Sequence, residues 1–261
     1  MKVGFVGCGN MGGALARAVS KVDAAKVYLF DKDTARAEAL AKELGGEACG
    51  LDVIGGCDFV FLGVKPNIIS EAAAALAPVL STDCVVISMA AGVAISKVEA
   101  ALGGKKRIIR IMPNTPVAYS KGMILYALSE SVSPEDEQGF LKIMTEAGRL
   151  DRIPEGLIDA GSAVSGCGPA FVYMFIEALA DGGVASGLPR DRAMQYAAET
   201  VLGAATVVLK SGKHPGELKD AVCSPGGSTI EGVLALEEGG MRGTVADAVV
   251  AAYEKTKKLG K

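Results

Sequence analysis

Two glycine-rich stretches near opposite ends of the chain have the residue types that bind anions. The first, GCGNMG, directly follows the apolar run 2–6 and directly precedes an Ala-rich segment. Glycines at this spacing, between a strand and a helix, permit a tight turn, a close approach of the backbone to a pyrophosphate, and close helix packing. A tight turn without a ligand is the alternative. We predict a dinucleotide-binding loop with five cofactor-binding residues: Gly7, Gly9, Asn10, Met11 and Gly12.

The second stretch, CSPGGSTIEG at residues 223–232, stands just before a predicted helix over 229–236. Small residues of this kind let backbone N–H groups converge on an anion at a helix N-terminus. A sharp turn between two helices is the alternative explanation. If the first loop holds a pyrophosphate, the second can hold a different anion, and its candidate substrate-binding residues are Ser224, Gly226, Gly227, Ser228 and Thr229.

An acidic residue follows the first loop at the distance where dinucleotide-binding proteins read the ribose. Asp31 lies about 20 residues beyond GCGNMG, at the end of the apolar run 26–30. A carboxylate there accepts a hydrogen bond from a ribose 2′-hydroxyl and repels a 2′-phosphate, which favours NAD. Lys32 and Arg36 are close enough in sequence to bind a phosphate, and turn formation before Asp33 explains Asp31 equally well. The sequence therefore predicts NADPH or NADH as cofactor without choosing between them.

Three further apolar runs end in polar or glycine-rich exits. Because ligands bind beyond the carboxyl ends of parallel strands, these exits are candidates for contacting the nicotinamide half of the cofactor. The alternative is that proline and glycine only end these strands and form ordinary loops. The predicted cofactor-binding residues in the exits are Val64, Lys65, Pro66, Ala90, Ala91, Gly92 and Asn114.

A third motif, SGCGPA at residues 165–170, precedes a predicted helix that starts near Ala170. Glycine and proline here fit a helix N-terminus, and a sharp turn between helices fits equally well. We predict Ser165 as a substrate-binding residue. The single histidine, His214, lies in a Gly/Pro loop and is not expected to be catalytic. The six cysteines form no CxxC pair, so that no metal site is predicted.

Two parts of the sequence differ in their hydrophobic pattern. Up to about residue 153, short apolar runs alternate with Ala-rich segments of helical spacing, which indicates a doubly wound parallel sheet. The predicted strands are 2–6, 26–30, 58–64, 84–88, 107–112 and 122–128, and the predicted helices include 11–19, 34–44 and 67–80. We predict an α/β protein, with a Rossmann-type dinucleotide-binding domain at 1–155 and an all-helical domain at 156–261, whose apolar helices pack in part across a subunit boundary.

Composition excludes several classes of partner. A net charge of −3, without a basic block, argues against nucleic acid and against an anionic membrane surface. The first residues, MKVGFVGCGNMGG, are expected to form a strand and not a signal peptide. The most apolar later stretch, AFVYMFIEALA, contains Glu177 and is expected to be too short to span a bilayer. We therefore predict a soluble cytoplasmic protein without nucleic-acid or membrane partners.

Seven motifs, in order along nearly the whole chain, resemble those of the pyrroline-5-carboxylate reductase family: GCGNMG, VKPN, AAGV, MPNTPV, SGCGPAFVY, ALADGGVASGLPR and HPGELKDAVCSPGGSTIEG. The motifs SPGGST and SGCGPA are far more specific than the glycine fingerprint. The family's usual forms are close to SGSGPAY and SPGGTT. Here Cys167, Phe171 and Ser228 replace the middle Ser, the Tyr and the first Thr, while Thr229 is retained.

The resemblance implies an activity, a cofactor and an assembly. The activity is the reduction of the cyclic imine 1-pyrroline-5-carboxylate to L-proline with NADPH or NADH, the last step of proline biosynthesis. The assembly is a homodimer with interlaced C-terminal helices, which several family members build into decamers. NADPH-preferring members often have Ser, Thr or Asn at position 31, so that Asp31 argues against a strict NADPH preference. The second loop would then hold the substrate carboxylate, and the Thr229 hydroxyl would contact the ring nitrogen as the catalytic group.

Two alternatives share this layout. A β-hydroxyacid dehydrogenase or a related imine reductase also combines a Rossmann domain with helices, but the dehydrogenases generally use a lysine in a helix of the second domain. The helix after Pro169 has no lysine until Lys210. A non-catalytic dinucleotide sensor is the other alternative, and it would not need a second anion-binding loop.

Overall fold

The computed structural model describes residues Met1–Leu259, which form two compact units. Among the described residues, the first unit contains Met1–Cys167 together with residues 251–259, and the second is Gly168–Val250. The first unit combines a sheet with helices, whereas all regular structure within Gly168–Val250 is helical.

The first unit is built on one sheet, which has eight strands within Met1–Leu259. The strands are β1 (Lys2–Val6), β2 (Lys26–Phe30), β3 (Glu47–Ala48), β4 (Phe59–Leu62), β5 (Val85–Ser88), β6 (Arg107–Met112), β7 (Gly122–Leu128) and β8 (Gly148–Arg152). Their order across the sheet is β3-β2-β1-β4-β5-β6-β7-β8. All neighbours are parallel except β6 and β7, which are antiparallel. The first six strands in this order have the arrangement of a Rossmann sheet, whose ligand crevice lies between β1 and β4.

Twelve α-helices lie within the same described range. In the first part of the chain they are α1 (Asn10–Ser20), α2 (Thr34–Leu44), α3 (Leu51–Gly55), α4 (Ile69–Leu76), α5 (Ile95–Ala101), α6 (Pro134–Ile143) and α7 (Ile158–Ser165). They continue with α8 (Gly168–Ala185), α9 (Arg190–Ser211), α10 (Pro215–Ala221), α11 (Ser228–Glu238) and α12 (Met241–Leu259). Short 3₁₀ helices occupy Pro66–Ile68, Ala77–Val79, Thr115–Tyr119 and Glu155–Leu157.

The central strands are mostly apolar because helices cover both faces of the sheet. Every residue of β4 and of β5 is buried. Two separate hydrophobic clusters fill the two faces, and in one of them Phe5 stacks on Phe61 with ring centroids 4.5 Å apart. The fold class predicted from the sequence is therefore confirmed.

The structure departs from the sequence prediction at the sheet edges and in one helix. The strands β3 and β8 were not predicted, since β3 has two residues and β8 (GRLDR) is polar and mostly exposed. The predicted helix 67–80 is shorter, because Pro66 and Pro78 place 3₁₀ turns at both of its ends. Side-chain caps stabilise two helix starts: the Asp33 side chain accepts the Arg36 N–H at the start of α2, and Ser133 and Asp136 form a capping box on α6.

The second unit has almost no core of its own. Within Gly168–Val250 only three residues are buried, Ala180, Ala193 and Ala197, at the contact between α8 and α9. Many large apolar side chains of these helices are exposed instead, among them Tyr173, Met174, Leu202, Leu209 and Leu234. Exposed apolar surface of this extent marks an interaction site.

One helical stretch within residues 1–259 is long and apolar enough to cross a membrane by length and composition alone, Glu155–Ala185 with 31 residues. The sequence prediction that this region is too short was therefore wrong. A 3₁₀ turn, α7 and α8 follow one another there with little interruption. Apolar helices of soluble proteins pass the same test, so that the stretch is weak evidence for a membrane.

A buried arginine joins three elements of the first unit. Arg110 on β6 has 4% of its side chain exposed, and its guanidinium pairs with Glu155 (Nη1 to Oε1, 3.3 Å) and with Asp159. The same Glu155 oxygen accepts the N–H of Ile95 at 2.7 Å, at the start of α5, where Ala94 offers no side-chain cap. A buried charge requires such partners, because a charge left unpaired away from water is strongly destabilising. One guanidinium thus holds β6, α7 and, through Glu155, the start of α5.

We expect Asp159→Ala to lower the free energy of unfolding by about 1–3 kcal/mol, the cost of a missing partner for a buried polar group. Glu130→Ala is the matched control, since it removes the partner of Lys105 in an ion pair whose side chains are 78% and 89% exposed. The control should change stability by less than about 0.5 kcal/mol. Urea denaturation measures both values, and equal effects of the two substitutions would contradict a special role for Arg110.

Candidate active site

The loop between β1 and α1 has the geometry of a pyrophosphate cradle. Gly7 has a φ of +99°, and Gly9 precedes α1 as its N-cap without any side-chain cap. The first turn of α1 also contains no acidic side chain, so that its backbone N–H groups are available to an anion. A Cβ built on Gly9 would meet no atom within 4 Å, which shows open space in front of this backbone.

The loop is held by a contact among three glycines that admits no side chain. A Cβ on Gly12 would overlap the carbonyl oxygen of Gly7, and one on Gly7 would lie 2.7 Å from the carbonyl oxygen of Gly63. Gly63 follows β4, and its own Cβ would lie 2.8 Å from the Gly7 oxygen. Gly63 is not among the residues predicted from the sequence, although a glycine at the end of the apolar run FVFLG is a visible signal.

Asp31, at the end of β2, binds the loop directly. Its Oδ2 accepts the N–H of Cys8 at 2.7 Å, and its Oδ1 accepts the N–H of Asp33 at 2.9 Å. Burial and the Asp31 charge together raise the pKa of the Cys8 thiol to about 11, with burial the larger cause. Cys8 is therefore a neutral thiol near neutral pH and not a nucleophile.

A cavity of about 440 Å³ opens beside this loop within the first unit. Its lining includes five of the predicted cofactor-binding residues: Gly7, Gly9, Asp31, Val64 and Lys65. Residues that sequence reasoning missed complete its wall, among them Leu51, Gly63, Ile68, Glu71 and Ala72. Most of these come from α3 and α4, whose position over the crevice depends on the strand order and not on any local motif.

The cavity suits part of a dinucleotide. Its volume is in the range of small-ligand sites, about 300–1,000 Å³. Apolar side chains such as Leu51 and Ile68 provide a surface for a flat base, while Asp31 provides a fixed acceptor and the glycine loop provides backbone donors. The donor and acceptor set therefore fits an adenosine with its adjoining phosphates.

The remaining predicted cofactor residues lie outside this cavity lining. Asn10, Met11 and Gly12 form the first turn of α1, and Pro66 opens the 3₁₀ helix after β4. Ala90, Ala91 and Gly92 follow β5, and Gly92 has a φ of +72°. Because β4, β5 and β6 are parallel neighbours, the exits after them share one edge of the sheet.

Asn114, in the exit after β6, is buried, and both ends of its amide are engaged. Its Nδ2 donates to the carbonyl oxygen of Ser165 at 2.8 Å, and its Oδ1 accepts the N–H of Met123 at 2.9 Å. The Ser165 hydroxyl itself donates to the carbonyl oxygen of Gly161 at 3.0 Å. Asn114 thus ties the end of β6 to the start of the SGCGPA motif, and contact of either side chain with a ligand stays a prediction.

The SPGGST loop of the second unit forms a tight turn followed by an open helix end. The N–H of Gly227 donates to the carbonyl oxygen of Ser224 at 3.0 Å, and Gly226 has a φ of +68°, the left-handed value that the third residue of a type II turn requires. Gly227 is the N-cap of α11 without a side-chain cap. Ser228 and Thr229 are exposed at the first two helical positions. Since the Gly227 N–H is used in the turn, the helix-end donors next to it are those of Ser228 and Thr229.

The other candidates carry no reactive geometry. His214 caps α10, where its Nδ1 accepts the N–H of Gly216 at 3.1 Å. Within residues 1–259, no group of three or more His, Cys, Asp or Glu side chains is arranged to hold a metal ion. Burial also raises the pKa of the Cys57 and Cys84 thiols to about 12, so that these cysteines pack as neutral apolar groups.

Two family models match the chain. Residues 155–259 match the model described as pyrroline-5-carboxylate reductase dimerisation. Residues 2–92 match the model described as NADP oxidoreductase, coenzyme F420-dependent. The matched ranges contain the C-terminal helices with the SPGGST loop and the glycine loop with Asp31, respectively.

Individual proteins match over the whole length. Pyrroline-5-carboxylate reductase of Escherichia coli is 41% identical, with 100% of this chain and 98% of the relative covered. The enzyme of Pisum sativum is 38% identical, with 98% and 95% covered. The solved structure of the Plasmodium falciparum enzyme with NADP bound is 32% identical with a TM-score of 0.89, and it covers 100% of this chain and 98% of its own. Identity at this level along the full length shows that the chain belongs to the pyrroline-5-carboxylate reductase family.

Proposed function

We propose a mechanism by which this chain carries out the reaction of its family, the reduction of 1-pyrroline-5-carboxylate to L-proline with NAD(P)H. The observation that carries the proposal is a second open helix N-terminus, at Ser228 and Thr229, in a chain whose β1–α1 loop also presents an open helix N-terminus suited to a pyrophosphate. A dinucleotide sensor would need only the first site. The two sites together call for a cofactor and a separate anionic substrate.

The first unit would hold the cofactor, which supplies the hydride when it is bound. We assign the pyrophosphate to the N–H groups at the start of α1, behind Gly9, and the adenosine to the adjoining cavity with Asp31. The strand exits at Val64–Pro66 and Ala90–Gly92 would line the nicotinamide half, because they follow neighbouring parallel strands.

The SPGGST loop would hold the substrate carboxylate. Exposed donors at a helix N-terminus favour an anion by about 0.3–2 kcal/mol, and hydroxyl groups of Ser224 and Ser228 add further hydrogen bonds. Fixing the carboxylate orients the ring, which is the main requirement for a substrate whose protonated imine is already electrophilic.

Thr229 is assigned to the ring nitrogen. Its hydroxyl lies one residue beyond Ser228 at the start of α11, and it is exposed. From there its oxygen can accept the hydrogen bond of the protonated ring nitrogen while the imine carbon receives the hydride. The lone His214 is engaged as a helix cap and has no place in this scheme.

We further propose the predicted division of the chain, a dinucleotide-binding domain at 1–155 and a substrate-binding and dimerisation domain at 156–261. A second copy would cover the exposed apolar side chains of α8 and α9 with interlaced helices, since three buried alanines are too small a core for Gly168–Val250. Decamers formed from such dimers and a cytoplasmic location complete the proposal. A buried dimer interface would also account for the apolar stretch Glu155–Ala185 without a membrane.

Gly9→Ala should weaken dinucleotide binding without changing stability. A methyl group at Gly9 meets no protein atom but enters the space in front of the cradle, so that the dissociation constant should rise at least about tenfold, or about 1.4 kcal/mol. Gly12→Ala is the contrasting variant: its methyl overlaps the Gly7 carbonyl and should destabilise the fold by about 1–3 kcal/mol. Calorimetric titration and thermal unfolding separate the two effects, and unchanged dinucleotide affinity in Gly9→Ala would remove the cradle assignment.

Thr229→Ala should lower kcat/KM for pyrroline-5-carboxylate by about 10- to 100-fold, the factor expected for a lost hydrogen bond to a charged group. Cys223→Ala, in the same loop, is the matched control and should change kcat/KM little. Steady-state oxidation of NADH and NADPH with the imine measures both variants. Wild-type-like kcat/KM in Thr229→Ala would eliminate the assigned role, and no turnover of either cofactor by the wild type would overturn the reductase activity itself.

Met174→Glu should disrupt the proposed dimer. Met174 on α8 is 69% exposed in the single chain, and a charge at this position would have to be buried in the interface without a partner. Lys210→Gln, near the C-terminal end of α9, changes the net charge by the same one unit and is the control. Sedimentation equilibrium should show a smaller species for Met174→Glu only, and a monomeric wild type would contradict the dimer.

A further inference from the structure

We propose that this chain discriminates between the two nicotinamide dinucleotides in favour of NAD(H). The discrimination would come from Asp31 and from an ion pair, Lys32–Glu71, that withholds the neighbouring lysine from a 2′-phosphate. The inference rests on the proposed function, because it concerns the adenosine end of the same cofactor site.

The Asp31 carboxylate is fixed in place. One oxygen accepts the Cys8 N–H at 2.7 Å and the other accepts the Asp33 N–H at 2.9 Å, so that the glycine loop and the chain after β2 both hold it. A side chain bound at both oxygens cannot turn away from an approaching phosphate without breaking these bonds. The turn-forming role considered for Asp31 and a role in reading the ribose are therefore compatible.

The same carboxylate retains acceptor capacity on the cavity side. A carboxylate offers about four lone-pair sites, and two backbone N–H groups occupy two of them. The remaining sites match the two hydroxyl donors of an unmodified ribose. A 2′-phosphate has no proton to offer at its full charge and would bring a second anion against Asp31.

The cations near Asp31 are engaged with carboxylates of their own. The Lys32 Nζ lies 2.7 Å from Glu71 Oε1, and the Arg36 Nη2 lies 3.5 Å from Asp33 Oδ2. Lys32 and Glu71 both line the cavity, one from the end of β2 and the other from α4. Their ion pair therefore links the two walls of the cavity.

Lys65 is the remaining cation of the cavity lining, and it lies farther away along the sheet. It follows β4, which is separated from β2 by β1, and two strand spacings amount to about 10 Å. A phosphate at the ribose beside Asp31 would thus meet one fixed anion and two cations that must first leave their partners. This arrangement favours a diol over a phosphate.

The test is a direct binding measurement on the full-length protein, by calorimetric titration with NAD⁺ and NADP⁺ and with the fragments 5′-AMP and 2′,5′-ADP. We expect wild type to bind NAD⁺ at least about tenfold more tightly than NADP⁺, because like charges placed together are strongly unfavourable. The fragments should show the same order, since the discrimination lies at the ribose.

Glu71→Gln tests the ion pair without touching the glycine loop. Glu71 is exposed, and releasing Lys32 should increase the affinity for NADP⁺ relative to that for NAD⁺ by about two- to fivefold, the range for an exposed ion pair. Glu130→Gln is the matched control, because it opens a comparably exposed lysine pair, with Lys105, away from the cavity, and it should change neither affinity. Asp31→Ser combined with Glu71→Gln should reverse the preference.

The outcomes separate this inference from the proposed function. If wild type binds NADP⁺ as tightly as NAD⁺ or more tightly, the inference is overturned while the cofactor site stands. An unchanged affinity for NADP⁺ relative to that for NAD⁺ in Glu71→Gln overturns the part played by the ion pair. If wild type binds neither dinucleotide, the cofactor site is misassigned and the proposed function fails with it. A gain in NADP⁺ affinity in the variant that combines Asp31→Ser with Glu71→Gln supports the inference, and an NADP⁺ affinity no higher than that of wild type overturns it.

Discussion

The contact among Gly7, Gly12 and Gly63 is the constraint on which the first unit depends. Here the loop after β1, the first turn of α1 and the chain leaving β4 approach so closely that a single methyl group would collide with backbone. Backbone at this distance lets α1 begin directly above the crevice between β1 and β4, with its N-terminus facing outward. A larger residue at any of the three positions would lift the helix or part the two strands.

Both candidate binding loops lead into a helix whose first backbone N–H groups have no side-chain cap. At Gly9 and at Gly227 a helix starts without a side-chain cap, although a capping Ser, Asp or Asn would stabilise the helix by about 1 kcal/mol. Elsewhere in the chain, α2, α6 and α10 do have side-chain caps. Five further helices, α3, α4, α5, α7 and α9, also start without a side-chain cap, so that a missing cap does not by itself mark a binding site. The starts at Gly9 and Gly227 differ because each lies in a glycine-rich loop, where a ligand can reach the backbone donors.

Much of the fold could be predicted from the sequence because its signals are local. Strands such as FVFL and the capped starts of α2 and α6 can be recognised from a few consecutive residues. The edge strands β3 and β8 do not, since their few polar residues become strands only by pairing with a neighbour. The cavity shows the same division: GCGNMG and Asp31 are visible in the sequence, whereas Ile68, Glu71 and Ala72 reach the site through the order of the strands. Asp31 illustrates a further limit, because the sequence offered a turn and a ribose contact as alternatives, and the hydrogen bonds of its carboxylate allow both.

Arg110 bears on how the two parts of such a chain can be exchanged in evolution. Its carboxylate partners, Glu155 and Asp159, lie within the range matched by the dimerisation model, yet they belong to the same compact unit as the sheet. A recombination that joined a foreign helical part at residue 155 would place unrelated side chains against a guanidinium already buried in β6. Such a foreign sequence would be tolerated only if it had carboxylates at positions 155 and 159. Otherwise Arg110 would have to be replaced at the same time. The boundary that the sequence pattern places near residue 155 is thus bridged by a buried network of ion pairs.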